Sequence, residues 1–377
     1  MKERILLQEK TSRFSLHLLL PLLVAVILSI AMMQALSAHA QNYSDWSPPV
    51  NLGAAINSAS NDQDAAISKD GLSLYFASDR PGGIGGFDMY VSQRASVDDP
   101  WGSPVNLGPT VNTVFDEGNA AFSRDEHLMF FQSKRPGGFG GIDIWVSQRE
   151  HTHDDLDWQP AVNLGAGVNS TADDNGPSYF ANEEDGLPQL YFGSNRPAAL
   201  GGANIYLSEQ IGDGSFGSAV LVPDLSSPLN ENRPTIRHDG LEIFFHSNRA
   251  GSIGAALDLW VATRESTLDA WSTPVNLGDT INTEFQENQA YLSSDNQTLL
   301  FTSNRPGGFG GVDLYMSTRT KLRAQSGNSA SLVSVRNHPS ASRASSHRCH
   351  PTSSDVVPDG SQFNPRASRA EDYRPLA

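Results

Sequence analysis

Five carboxylates recur at matching places in this 377-residue sequence, Asp62, Glu117, Asp174, Glu231 and Glu287. Five arginines follow them at a near-constant distance, Arg80, Arg135, Arg196, Arg249 and Arg305, and then a third polar set, Asp88, Asp143, Asn204, Asp258 and Asp313. Left free, such acids suit a cation site, or acid and base work in which two carboxyls in unlike surroundings split their pKa values. Matched by arginine in equal number, they suit ion pairs in which each guanidinium bridges the acids of its own copy, since buried charges are normally paired. Five equivalent positions favour one structural task done five times. No residue is therefore assigned as catalytic, and none as a metal ligand.

Other chemistry finds little support. The glycines of "RPGGFGG" lack the Lys-Ser or Lys-Thr and the following helix of a phosphate loop, and read as turns that admit positive φ. "HTHDD" at His151 to Asp155 gathers two imidazoles and two carboxylates in one loop with no distant third ligand, too little for zinc. No G-x-S-x-G elbow occurs, the one cysteine is Cys349, and all six tryptophans belong to the recurring pattern.

Shared positions hold a repeat protein together, and deviations carry its individuality. The fourth copy deviates most: Arg233 stands where the others have Asp64, Asn119, Gly176 and Gln289, and "RAGSIGAA" replaces the glycine turn. Asn232, Arg233, Arg237 and His246 thus predict a contact patch beside the five acids at a channel mouth.

The elements that must position these residues follow from the spacing. Copies begin at Trp46, Trp101, Trp158, Phe216 and Trp271, at intervals of 55, 57, 58 and 55 residues. Short segments rich in Val, Ile, Leu, Phe, Tyr and Trp alternate with "KDG", "RPGG" and "NLG" turns, which reads as four strands per copy. Several strands are apolar at consecutive positions, such as Leu74, Tyr75 and Phe76, as expected where both faces are covered. The pattern predicts an all-β, five-bladed propeller of four-stranded antiparallel blades over residues 41–319. Residues 46–53 then supply the outer strand of the last blade and close the ring, burying Trp46, Val50 and Leu52.

Composition bounds the rest. Residues 1–40 carry Lys2, Arg4, Lys10 and Arg13, then a long apolar run, then "AHA", the layout of an export signal. Residues 41–319 hold 14 basic and 36 acidic residues, a net of −22 that repels phosphate backbones. Residues 320–377, with twelve serines and a net charge of +4, read as a disordered tail.

The segments "SDRPGGIGGFDMY", "SKRPGGFGGIDIW" and "SNRPGGFGGVDLY" resemble the WD40-like, or PD40, repeats of the family that includes the TolB propeller. The resemblance implies a periplasmic or extracellular, non-enzymatic scaffold that binds a protein or peptide of the cell envelope. A monomer is expected, without nucleic acid and without membrane insertion beyond a retained signal anchor. No cofactor is expected, other than a structural cation in the channel. The alternative is a carbohydrate-active glycoside hydrolase using the channel-mouth carboxylates, because five-bladed propellers include such enzymes.

Overall fold

The computed structural model describes residues 43–182, 186–197, 199–212, 214–254 and 257–322. The expected export signal and nearly all of the expected tail lie outside these residues. Within them the chain forms strands and turns and no helix.

Strand β1 (Val50–Asn51) precedes five repeats of one plan. The first blade holds β2 (Asp62–Ile67), β3 (Ser73–Ser78), β4 (Asp88–Gln93) and β5 (Val105–Asn106), and the second β6 (Glu117–Phe122), β7 (Leu128–Ser133), β8 (Asp143–Gln148) and β9 (Val162–Asn163). The third holds β10 (Asp174–Phe180), β11 (Gln189–Ser194), β12 (Asn204–Glu209) and β13 (Val220–Leu221), and the fourth β14 (Glu231–Ile236), β15 (Glu242–Ser247), β16 (Asp258–Thr263) and β17 (Val275–Asn276). The fifth adds β18 (Glu287–Leu292), β19 (Thr298–Ser303) and β20 (Asp313–Thr318). Every pairing is antiparallel, and the innermost strands β2, β6, β10, β14 and β18 contact one another in a closed cycle. The protein is a five-bladed β-propeller.

There is no single core. Apolar residues gather in five clusters, one at each boundary between neighbouring blades, because strands covered on both faces must pack against the next sheet. The aromatic residue that opens each copy joins the boundary with the preceding blade: Trp158, Phe216, Trp271, Trp46 and Trp101 each belong to a different cluster. A guanidinium lies over four of these rings, Arg94 on Trp101 at 4.2 Å, Arg149 on Trp158 at 4.6 Å, Arg264 on Trp271 at 4.3 Å and Arg319 on Trp46 at 4.6 Å.

Strand β1 completes the last blade, pairing Val50 with Met316 and Asn51 with Tyr315 of β20. The pairing reaches past the expected limits, since Tyr43 bridges Lys321. Trp46 and Leu52 pack inward as expected, but Val50 is 61% exposed, as are its counterparts Val105, Val162, Val220 and Val275 to a similar degree. An outermost strand is covered on one side only, so this valine faces water.

Deleting residues 46–53 opens the edge of β20 and strips two side chains from the boundaries of the fifth blade. The expected outcome is an unfolded or oligomeric protein, read by light scattering and thermal melting. A stable monomer contradicts closure by β1.

Candidate functional site

The five repeated acids do not line a wet mouth. Each is at most 1% exposed and faces the arginine of its own blade: Arg80 to Asp62 at 2.6 Å, Arg135 to Glu117 at 3.4 Å, Arg196 to Asp174 at 2.6 Å, Arg249 to Glu231 at 3.2 Å and Arg305 to Glu287 at 3.0 Å. The carboxylates also accept backbone N–H groups four residues upstream, as Asp62 does from Ser58 and Glu287 from Thr283. Each guanidinium lies over aromatic rings of its blade and donates to a carbonyl of the loop arriving from the previous blade, as Arg80 does to Ile56. The function of the set is to stitch that loop to the blade.

The expectation that each arginine bridges two acids is corrected. Asp88, Asp143 and Asp313 instead accept N–H groups of the glycine turn, for example Phe139 at 2.5 Å and Gly140 at 3.1 Å on Asp143. Asp258 takes Ile253, and Asn204 takes Leu200 while donating to Glu231 of the next blade at 2.9 Å. The turn needs glycine for a steric reason: a Cβ on Gly138 would stand 1.4 Å from the Asp143 carboxylate.

The axis is organised by a different position. Each innermost strand carries a bulge, and the residue within it has positive φ: Asp64 (61°), Asn119 (58°), Gly176 (59°), Arg233 (50°) and Gln289 (56°). Four non-glycine residues in this sparsely allowed region store strain that the ring must hold in place. Asp64 is the hub. It accepts Arg233 of the fourth blade at 2.6 Å and Asn119 of the second at 3.1 Å, while its own N–H donates to Gln289 of the fifth at 3.3 Å. Gly176 makes room, because a Cβ there would lie 2.6 Å from the Arg233 Cα. Burial pushes the Asp64 carboxyl above its ordinary value, with Arg233 pulling it back.

The expected patch of Asn232, Arg233, Arg237 and His246 divides. Asn232 pairs with His246 across β14 and β15, next to Arg233. Arg237 lies at the opposite end of β14, in ion pairs with Asp239 at 2.7 Å and Glu242 at 3.0 Å. His246 is buried, its Nδ1 lacks a partner, and burial, with Arg233 adding to it, lowers its pKa to about 3. It is neutral at any ordinary pH, so it adds no charge to the patch.

The cavity on the axis opens on the face opposite the glycine turns. Its volume is about 240 Å³. Beneath the positive-φ ring it is floored by Asn119 and Gln289, walled by Tyr179 of β10 and Tyr291 of β18, and rimmed by exposed Lys69 and His238 in the hairpin turns. Tyr179 stacks on Phe130 with centroids 5.2 Å apart, and the Tyr291 hydroxyl donates to Ile67 O, which fixes both rings. Glu126 also lines the cavity; it accepts the Lys69 N–H at 2.6 Å, and burial raises its pKa. Asp64 and Glu126 are the residues sequence reasoning missed. The position of Asp64 was marked by its variability among the copies, whereas Glu126 sits in a turn with no distinguishing motif.

The "HTHDD" loop has a structural role. Asp155 is buried and accepts Tyr75 at 2.5 Å, Gln93 at 2.7 Å and Arg149 at 3.1 Å, while His151 pairs with Asp157 at the surface. Among the described residues no three His, Cys, Asp or Glu side chains gather to hold a metal. The five acids expected to hold a channel cation each face an arginine instead.

No family model matches the chain, and no curated protein does. Among solved structures it is similar to the catalytic domain of the Coprinopsis cinerea GH62 α-L-arabinofuranosidase, with 12% identity, TM-score 0.49, and 74% of this chain and 98% of that one covered. It is similar to the Bacillus subtilis arabinanase Arb43A at 12% identity and TM-score 0.48, over 71% and 97% of the two chains. A putative TolB from Agrobacterium tumefaciens follows at 13% and 0.42, over 70% and 91%. Likeness at this level transfers no residue and no substrate.

The expected non-enzymatic protein- or peptide-binding scaffold is corrected. The similar structures are mostly glycoside hydrolases, with TolB beside them. The residues assigned to its contact face are also either buried in ion pairs or divided between two ends of the ring.

Two outcomes follow from the axis. Asp64→Asn, which tolerates the positive φ, leaves a mostly buried guanidinium unpaired and costs about 3–5 kcal/mol, whereas Asp64→Asn with Arg233→Gln recovers most of it; denaturant unfolding reads both. Equal losses in the single and double variants contradict the pairing. An imidazole depressed from 6.5 to about 3 contributes stability above pH 6.5 and loses it as pH falls towards 3. His246→Gln therefore flattens the acid limb of the stability profile by roughly 1 kcal/mol per pH unit relative to the parent. An unchanged limb places His246 in water.

Proposed function

We propose that this protein is an exported, carbohydrate-recognising propeller of the PD40 repeat type, which takes a saccharide into its axial cavity. The recurring "RPGG" motif supports the repeat type, and the layout of residues 1–40 supports export. One observation carries the ligand class: the lining of the cavity, where two fixed tyrosine rings stand beside the amides of Asn119 and Gln289 and the hydroxyls of Ser178 and Thr235. Sugar rings offer C–H faces to aromatic planes, and their hydroxyls both donate and accept, as amides and hydroxyls do. A polyhydroxyl ligand matches that lining.

A second reading, hydrolysis, draws on Glu126, whose raised pKa suits a general acid. Glycoside hydrolysis by the usual route needs two carboxyls about 5–9.5 Å apart. Among the described lining residues Glu126 is the only carboxylate, so recognition ranks ahead of turnover.

Titration calorimetry against arabinan, xylan, pectin and glucan, with a reducing-sugar assay on the same mixtures, tests both readings. Binding of at least one polymer is expected, weakened about tenfold in Tyr179→Ala by loss of one aromatic contact. Failure of every polymer to bind, or wild-type affinity in that variant, overturns the reading. Sugar release that vanishes in Glu126→Gln moves the assignment to a hydrolase.

A further inference from the structure

The axial cavity opens among the hairpin turns that carry Lys69 and His238. At its other end the axis is crossed by the Arg233 side chain, which reaches from the fourth blade to Asp64 in the first at 2.6 Å. Asn119 and Gln289 bond to the same Asp64, and Arg233 also crowds Gly176 from the fourth blade. The closure is therefore made by all five innermost strands and does not depend on a loop.

A blind pit imposes a condition on any chain molecule that enters it. An internal sugar of a polymer has chain leaving on both sides, and both arms must pass back out through the same mouth. At about 240 Å³ the cavity falls just below the roughly 300–1,000 Å³ usual for ligand pockets, which favours a single chain end over a doubled chain. A terminal sugar has one arm, and that arm points out past Lys69 and His238 at the rim.

We propose that the protein selects chain ends, taking the terminal sugar of a polysaccharide into the axial cavity and leaving internal segments unbound. This rests on the carbohydrate reading above and narrows it to a substrate class. The test uses the full-length protein and a linear polymer from the panel, before and after partial hydrolysis that multiplies the number of ends at constant mass. Binding sites per gram are expected to rise in proportion to the ends, about tenfold for a tenfold cut in mean length. Sites per gram that stay constant or fall as the chains shorten overturn end selection while leaving carbohydrate recognition standing. If no saccharide binds at any length, the underlying reading fails, and end selection fails with it. Chains whose terminal sugar is capped by periodate cleavage and reduction supply an independent check. The check uses a 1,3-linked glucan, whose internal residues lack vicinal diols and survive the treatment; it is expected to lose binding, and unchanged binding counts against the inference.

Discussion

A strained backbone position, repeated five times around one axis and tied together through Asp64, constrains the centre of this molecule. A bulge in each innermost strand places one residue at the axis with positive φ. Asparagine and aspartate tolerate that region better than most residues, and glycine best, but Arg233 and Gln289 occupy it too. They stay there because their side chains are committed to Asp64 and its neighbours. A closed ring with five independent boundaries gains from such a tie, since no continuous core joins opposite blades.

The peripheral polar network serves each blade separately. Acid, arginine and arriving loop form one unit, and the second acid with its glycine turn forms another. Both lie mostly within one repeat, so both recur closely, with Asn204 as the exception that reaches Glu231 of the next blade. The axial position touches other blades, and its five residues must complement one another: a carboxylate, an amide, a gap, a guanidinium and a second amide. Variation is therefore required where the copies meet and is costly elsewhere. The same arrangement separates the two faces, with one face covered by glycine turns over buried ion pairs and the other open to a small cavity with fixed aromatic walls.

Legibility in the sequence followed this division. Blade number, strand number and closure by β1 were readable because apolar runs, turns and the opening aromatic recur in register, and each copy is a self-contained packing unit. The pairing of Asp62 with Arg80 and its equivalents was readable as one of two alternatives, because matched numbers of opposite charges in an apolar repeat favour neutralisation. The partners of Asp88 were not, since an aspartate that caps backbone N–H groups looks the same as one that meets an arginine. The contact patch failed on direction: Arg237 is four residues from Arg233, and four residues along a strand is the full height of a blade. The cavity was invisible because its lining comes from ordinary strand and turn positions of several copies, brought together only by ring closure.

A crystal structure of the protein without added sugar tests the axial closure most directly. The expected result is density for the Arg233 guanidinium lying on the Asp64 carboxylate, with positive φ at residues 64, 119, 176, 233 and 289. An Arg233 side chain swung out to solvent, leaving a water-filled passage from face to face, contradicts it.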